Sequence, residues 1–328
     1  MNFNDKIKRQ FRDLRLKAPL EPLDVEHIYA DYIELIAVFS NDCYVTSADI
    51  LDRLQDEGKI DIKDTNNAIQ VGSIAAEQHD IYEAWINEIF YVIQQRAFLF
   101  GAEYPFDFDN RKIRIKNPLT SKQKLYVALL VSSNLHLFNK VKSILTKEFE
   151  IISFYALKTF LPDHAIVKSF GKSTDYQGNA KDKIRRLAVD LNVDVDEYEI
   201  KNISRRNNQE RGLDLVGWIP FNDGCPNSIT ILGQCTCGKD WPSKHHDTRR
   251  FVHYLKFYRI KPIHAMFISY SLINHGKSKF YRSDDIEDDT LVFERKRIIE
   301  YFKNEKEFLN LKSNRIVEEC IKYQEDVV

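Results

Sequence analysis

Three polar residues occupy places where their chemistry needs a reason: Glu150, Asp214 and Gln234. Asp214 follows Gly212 and leads into the apolar run Leu-Val-Gly-Trp, while Gln234 follows Gly233 at the end of Ile-Thr-Ile-Leu. The two runs face each other across a loop with Pro220, Asn222, Asp223, Gly224 and Pro226, a composition suited to a hairpin. An ionised carboxylate on an apolar strand is costly to bury unless it is paired or binds a metal. Magnesium or manganese would suit this donor set, because hard divalent cations take carboxylate and amide oxygens and leave room for a phosphate. Such an ion lowers the pKa of a bound water and screens phosphate charge, which permits in-line attack on a phosphodiester. Asp214 is then the central ligand, Gln234 gives its amide oxygen, and Glu150 holds a more distant water or a second ion. Two structural roles compete: Asp214 capping a turn or pairing with Arg211, and Glu150 as a helix N-terminal acid with Glu148 as its rival.

Phe149-Glu150 on a helix, Gly212-Leu-Asp214 on one strand and Gln234-Cys-Thr236 on the next resemble the PD-(D/E)xK nuclease superfamily. Within it they resemble the Mrr-like branch that carries Gln, over roughly residues 145 to 270. That resemblance implies an α/β domain in the C-terminal half, a restriction-endonuclease-like mixed sheet flanked by helices. It implies a metal-dependent endonuclease that cuts phosphodiester bonds, in DNA rather than RNA, as a prokaryotic restriction or phage-defence effector. Catalysis would fall to Glu150, Asp214 and Gln234. One position departs from the pattern, since Thr236 stands where the family has lysine and threonine brings no positive charge. Lys239, further along the same segment, is the expected replacement, and Lys244 after the turn is the other candidate. A catalytically silent nuclease-like subunit that binds nucleic acid or assembles with partners is the alternative.

Basic residues flank these motifs. Lys181, Arg185 and Arg186 lie on one helix with Lys183, Arg205, Arg206 and Arg211 precede Asp214, and Lys244, Arg249 and Arg250 follow Gln234. On a shared face they would form a local nucleic-acid footprint that the net charge of -1 conceals. Trp218 and Trp241 either stack on bases or pack in the core. Cys225, Cys235, Cys237, His245 and His246 lack the paired spacing of a zinc ribbon or finger. Five scattered cysteines suggest a reducing, cytoplasmic setting, and no signal peptide or apolar run of spanning length is evident.

The elements that must position the motifs follow from periodicity. Residues 1–142 read as a mainly helical domain for recognition, regulation or a protein partner, with helices from Asp24 to Phe39, from Thr46 or Ser47 to Gly58, from Asn66 to Phe98 and from Ser121 to Phe138. A short strand is expected at Arg111 to Ile115. The first two of these helices form either a winged-helix-like unit or a structural hairpin. Residues 143–328 read as the nuclease-like domain. Its elements are a helix from Thr146 to Phe160, a strand from Ala165 to Gly171, a basic helix from Gly178 to Leu191, the two facing strands, a helix to Tyr258 and a strand from Ala265 to Tyr270. A homodimer is compatible with this organisation.

Overall fold

The computed structural model describes residues 2–22, 25–60, 70–171, 174–203, 212–287 and 289–325, with the backbone alone over 70–78. The expected N-cap at Asp24 and helix start at Asn66 lie outside the described residues. The chain divides into two compact units. The first comprises Met1–Lys142, Ser271–Tyr281 and Lys312–Val328, and the second comprises Ser143–Tyr270 and Arg282–Leu311. Segments 271–281 and 312–328, which the sequence reading groups with the C-terminal half, thus pack with the first unit.

The first unit contains α1 (Phe3–Arg12), α2 (Glu26–Phe39), β1 (Tyr44–Thr46), α3 (Ser47–Asp56), α4 (Gln70–Phe100), β2 (Phe106–Asp109), β3 (Lys112–Ile115) and α5 (Ser121–Ser133). Thr46 and Asp49 exchange side-chain and backbone bonds as a capping box, which is why α3 begins there. Thr120 and Gln123 do the same for α5. α5 ends at Ser133, short of Phe138: Ser132, Ser133 and Asn134 turn their side chains back onto carbonyls of the preceding turn. The strand expected at 111–115 is β3, and it lies between β1 and β2 in an antiparallel sheet. At the centre of this unit α2 is buried along nearly its whole length, and its Asp31 and Glu34 pair with Arg96 of α4 at 2.8 and 3.0 Å.

The second unit runs α6 (Lys142–Phe160), β4 (Ile166–Ser169), α7 (Ala180–Leu191), β5 (Asp194–Val195), α8 (Glu197–Lys201), β6 (Leu215–Ile219) and β7 (Ile229–Thr236). It continues with α9 (His245–Arg249), α10 (Phe251–Tyr254), β8 (Leu255–Lys256) and β9 (Ile263–Ile268). After β10 (Ile273–Asn274) and β11 (Lys279–Phe280), which belong to the first unit, it resumes with β12 (Thr290–Phe293), α11 (Arg295–Tyr301) and α12 (Glu305–Asn310). The single helix expected to run to Tyr258 is broken. Leu255 turns extended, and Leu255–Lys256 pair with Asp194–Val195.

A five-stranded mixed sheet orders this unit as β12-β9-β7-β6-β4. β6 pairs antiparallel with β7 and with β4, whereas β9 runs parallel to both β7 and β12. Parallel neighbours need a crossover, and α9 and α10 lie in the segment that carries the chain from β7 to β9. α7 covers one face, burying Ile184, Leu187, Ala188 and Leu191 against Val216, Trp218, Leu232 and Phe251. α6 covers the other: a Cβ at Gly217 would lie 2.7 Å from Leu161 Cδ1, so glycine lets the helix approach the sheet this closely. Phe267 and Phe293 stack at 4.4 Å across β9 and β12. Trp218 and Trp241 are 3% and 1% exposed, so both are packing residues and neither offers a face to a base. Among the described residues no helix is long and apolar enough to cross a membrane.

Candidate metal centre

Asp214 sits one residue before β6, where strand pairing has set its partners. Its N–H donates to Gly233 O at 2.9 Å, and its carbonyl accepts from Phe170 N at 2.7 Å and Gly171 N at 3.0 Å. Gln234 follows Gly233 on β7, the residue whose carbonyl takes the Asp214 N–H. The Asp214 carboxylate is anchored as well, because Cys235 N donates to Oδ2 at 2.7 Å. That charge-assisted bond fixes the side chain on the strand end.

Glu150 arrives from the middle of α6 and meets Asp214 at Gly171. A Cβ on Gly171 would stand 2.7 Å from Asp214 Oδ1 and 2.9 Å from Glu150 Oε2. Both oxygens therefore flank a single point at the end of β4, and only glycine leaves room for them. Glu148 is buried too, but Glu150 is the acid that reaches this point. The Cys235 thiol registers the same pair: burial, then the charges of Asp214 and Glu150, push its pKa well above the ordinary value. Ser153, fully buried one turn after Glu150, lies beside that thiol.

Gln234 lies on β7, one residue before Cys235. It is 9% exposed, and its Oε1 is buried with no hydrogen-bond partner among the described residues. An amide oxygen in that state costs about 1–3 kcal/mol unless something binds it. The two carboxylate oxygens that meet at Gly171 are hard donors of the kind a divalent cation takes, and the orphaned amide oxygen on the adjoining strand has the same chemistry. By contrast, Cys225, Cys235, Cys237, His245 and His246 form no three-ligand group. Among the described residues only His79, Asp80 and Glu83 bring three His, Cys or carboxylate ligands together, and that cluster is largely exposed on α4.

No family model, curated protein or solved structure matches this chain. The likeness to the PD-(D/E)xK superfamily accordingly rests on the motifs and their order alone.

The basic residues are placed as follows. Lys183 of α7 is 7% exposed and donates from Nζ to Phe170 O at 3.3 Å, which brings an ammonium to the strand end that holds Gly171. Sequence reading grouped it with its exposed neighbours. The signal was its spacing, since Lys183 shares a helix face with Ala180, Leu187 and Leu191, where an apolar residue is expected. Lys181 donates to Lys201 O at 2.9 Å, and Arg185 forks onto Glu197 at 3.0 and 2.8 Å. Arg186 is exposed on the outer side of α7. Lys244 pairs with Asp240 at 3.2 Å, and Lys239 lies in the turn after β7, where Gly238 N donates to Thr236 Oγ1. Arg205, Arg206 and Arg211 lie outside the described residues.

Proposed function

We propose that the second unit is a metal-dependent phosphodiesterase domain acting on DNA, with Glu150, Asp214 and Gln234 holding magnesium or manganese. The observation that carries this reading is the meeting of Asp214 Oδ1 and Glu150 Oε2 at Gly171, and the buried Gln234 Oε1 on the neighbouring strand, without a hydrogen-bond partner among the described residues, is the third oxygen donor it invokes. The mixed sheet, with helices on both faces and the motif residues at adjoining strand ends, supports a restriction-endonuclease-like fold for this unit. A bound divalent ion would screen phosphate charge and lower the pKa of its water. The chain does the positioning. β7 orients Asp214 through the Cys235 N–H and carries Gln234 one residue before it, and α6 delivers Glu150.

The missing lysine at Thr236 is the question this reading has to answer. We assign the positive charge to Lys183, whose ammonium reaches the same strand end from α7 rather than along β7. A buried cation there meets the charge of a phosphate and offsets the repulsion between two neighbouring carboxylates. Low local polarity strengthens both effects.

Incubation of supercoiled plasmid with wild type and Asp214→Ala, with magnesium or manganese and with chelator, tests the reading. Nicking by wild type alone, abolished by chelator, is expected. Equal nicking by both proteins, or none by either with either metal, contradicts it. Salt-dependent DNA binding that survives Asp214→Ala, without cleavage, would point instead to a silent binding subunit.

A further inference from the structure

A second polar feature of the same unit lies at the start of β9. His264 and Ile263 open that strand, Pro262 and Lys261 precede it, Arg249 and Val252 reach over from α9 and α10, and Asp289 closes the far side just before β12. Together they line a cavity of about 610 Å³. That is a size range in which small-molecule ligands are held.

Its walls divide by chemistry. Among the described lining residues Arg249 and Lys261 supply two positive charges and Asp289 one carboxylate. Arg249 is itself held, since its Nη2 donates to Thr290 Oγ1 at 3.2 Å, so the guanidinium is positioned before any ligand arrives. Val252, Pro262 and Ile263 give an apolar surface next to these cations, and Val252 and Ile263 are 37% and 42% exposed. His264 is 7% exposed, with Nδ1 3.1 Å from Thr248 Oγ1. Burial and the neighbouring Arg249 hold its pKa near 4, so the ring is neutral at physiological pH. Three residues before Lys261 in the chain, Tyr258 is 63% exposed, with the Arg259 guanidinium 5.4 Å from its ring centre.

Two cations beside an apolar wall, with one carboxylate opposite, match a ligand that has an anionic end, a flat apolar part and hydroxyl groups between them. We propose that this cavity binds a nucleoside phosphate, with the phosphate at Arg249 and Lys261, the base on Val252, Pro262 and Ile263, and a sugar hydroxyl donating to Asp289. The ligand is either a free mononucleotide or one nucleotide of a strand. The assignment does not depend on cleavage at Asp214. The cavity is nonetheless joined to that region through α9, where Asp247 packs against Gly212 while Thr248 and Arg249 reach His264 and the cavity.

Titration calorimetry on the full chain tests the proposal, using adenosine 5′-monophosphate, inorganic phosphate, adenosine and a short 5′-phosphorylated oligothymidylate. The monophosphate is expected to bind with a single saturable isotherm and to shift the His264 ring signals in NMR spectra. Lys261→Gln, at an exposed position, and Arg249→Gln are each expected to weaken it about tenfold, the range for a charged hydrogen bond. Tighter binding of the oligonucleotide identifies the strand as the source, and equal binding identifies the free nucleotide. No saturable binding of either probe, binding unchanged in both variants, or inorganic phosphate binding as tightly as the monophosphate overturns the proposal. Asp214→Ala, assayed in parallel, keeps this result separate from that of the cleavage reading.

Discussion

The backbone N–H of Cys235 donates to Asp214 Oδ2 at 2.7 Å, so the strand that carries Gln234 also orients the acid on the strand beside it. Asp214 has one oxygen committed to the sheet, which leaves Oδ1 at Gly171 beside Glu150.

Gly171→Ala tests how tightly the two carboxylates converge. The new methyl group would stand 2.7 Å from Asp214 Oδ1, 2.9 Å from Glu150 Oε2 and 3.2 Å from Asp214 Cα, and a backbone atom cannot swing away as a side-chain terminus can. Overpacking of this kind costs about 1–3 kcal/mol. The expected outcome in a urea melt is a lower midpoint with an unchanged slope, together with loss of metal-dependent nicking. Full activity at wild-type stability would mean that the carboxylates do not meet at this point.

Lys183→Met keeps the length of the side chain and removes its charge. Because Lys183 serves the phosphate rather than the metal, the variant is expected to keep divalent-ion binding and to lose roughly 100-fold in cleavage rate, the scale of one electrostatic contact in a water-poor site. Lys239→Met is expected to retain activity. If instead Lys239→Met abolishes cleavage and Lys183→Met does not, the charge belongs on the turn after β7.

His264 gives the second unit a pH signature. Its pKa is lowered to about 4 in the fold by burial and Arg249, against an ordinary 6.5 in the unfolded chain. Between those values the unfolded state takes up a proton that the native state refuses, so stability falls as pH drops from about 6.5 to about 4 and changes no further from this source below that. Screening at the cavity mouth reduces the full shift to about 1–2 kcal/mol. Urea melts of wild type and His264→Gln across this window measure it, and the expected difference is a shallower pH dependence in the variant. Parallel curves would remove the assignment.

The ionic centre of the first unit predicts a larger effect. Arg96 lies between Asp31 at 2.8 Å and Glu34 at 3.0 Å, and all three are 2% exposed or less. Arg96→Met would leave two buried acids without their cation, at a cost of about 3–5 kcal/mol in a denaturant melt. A cost below 1 kcal/mol would show that these acids are protonated and need no partner.

Much of the second unit is written in local pattern. The helix ending before Pro162, the basic helix bounded by Asn179 and Asn192, and the two glycine-bearing strands around residues 215 to 236 follow from caps, breakers and period-two alternation. What was hidden depends on distant contacts. Leu255 turns extended to pair with Val195, sixty positions away in the chain, and no helical period forecasts that break. β2, with its Phe-Asp-Phe-Asp alternation, was missed because it is short and gains its place only from pairing with β3. Gly171 is the plainest case at the site. In sequence it only closes a strand, yet its missing Cβ makes the space in which Glu150 and Asp214 meet. Lys183 was legible as a cation but not as a buried one, since its neighbours Lys181, Arg185 and Arg186 suggested a solvated face.

The most direct measurement of the central claim is manganese binding followed by electron paramagnetic resonance, with the full chain as wild type, Asp214→Asn, Glu150→Gln and Gln234→Leu. A metal centre built from these three side chains predicts saturable manganese uptake by wild type, loss of at least tenfold in affinity for Asp214→Asn, a smaller loss for the other two, and competition by magnesium in each case. Uptake of equal strength in all four proteins, or none in wild type, would contradict it.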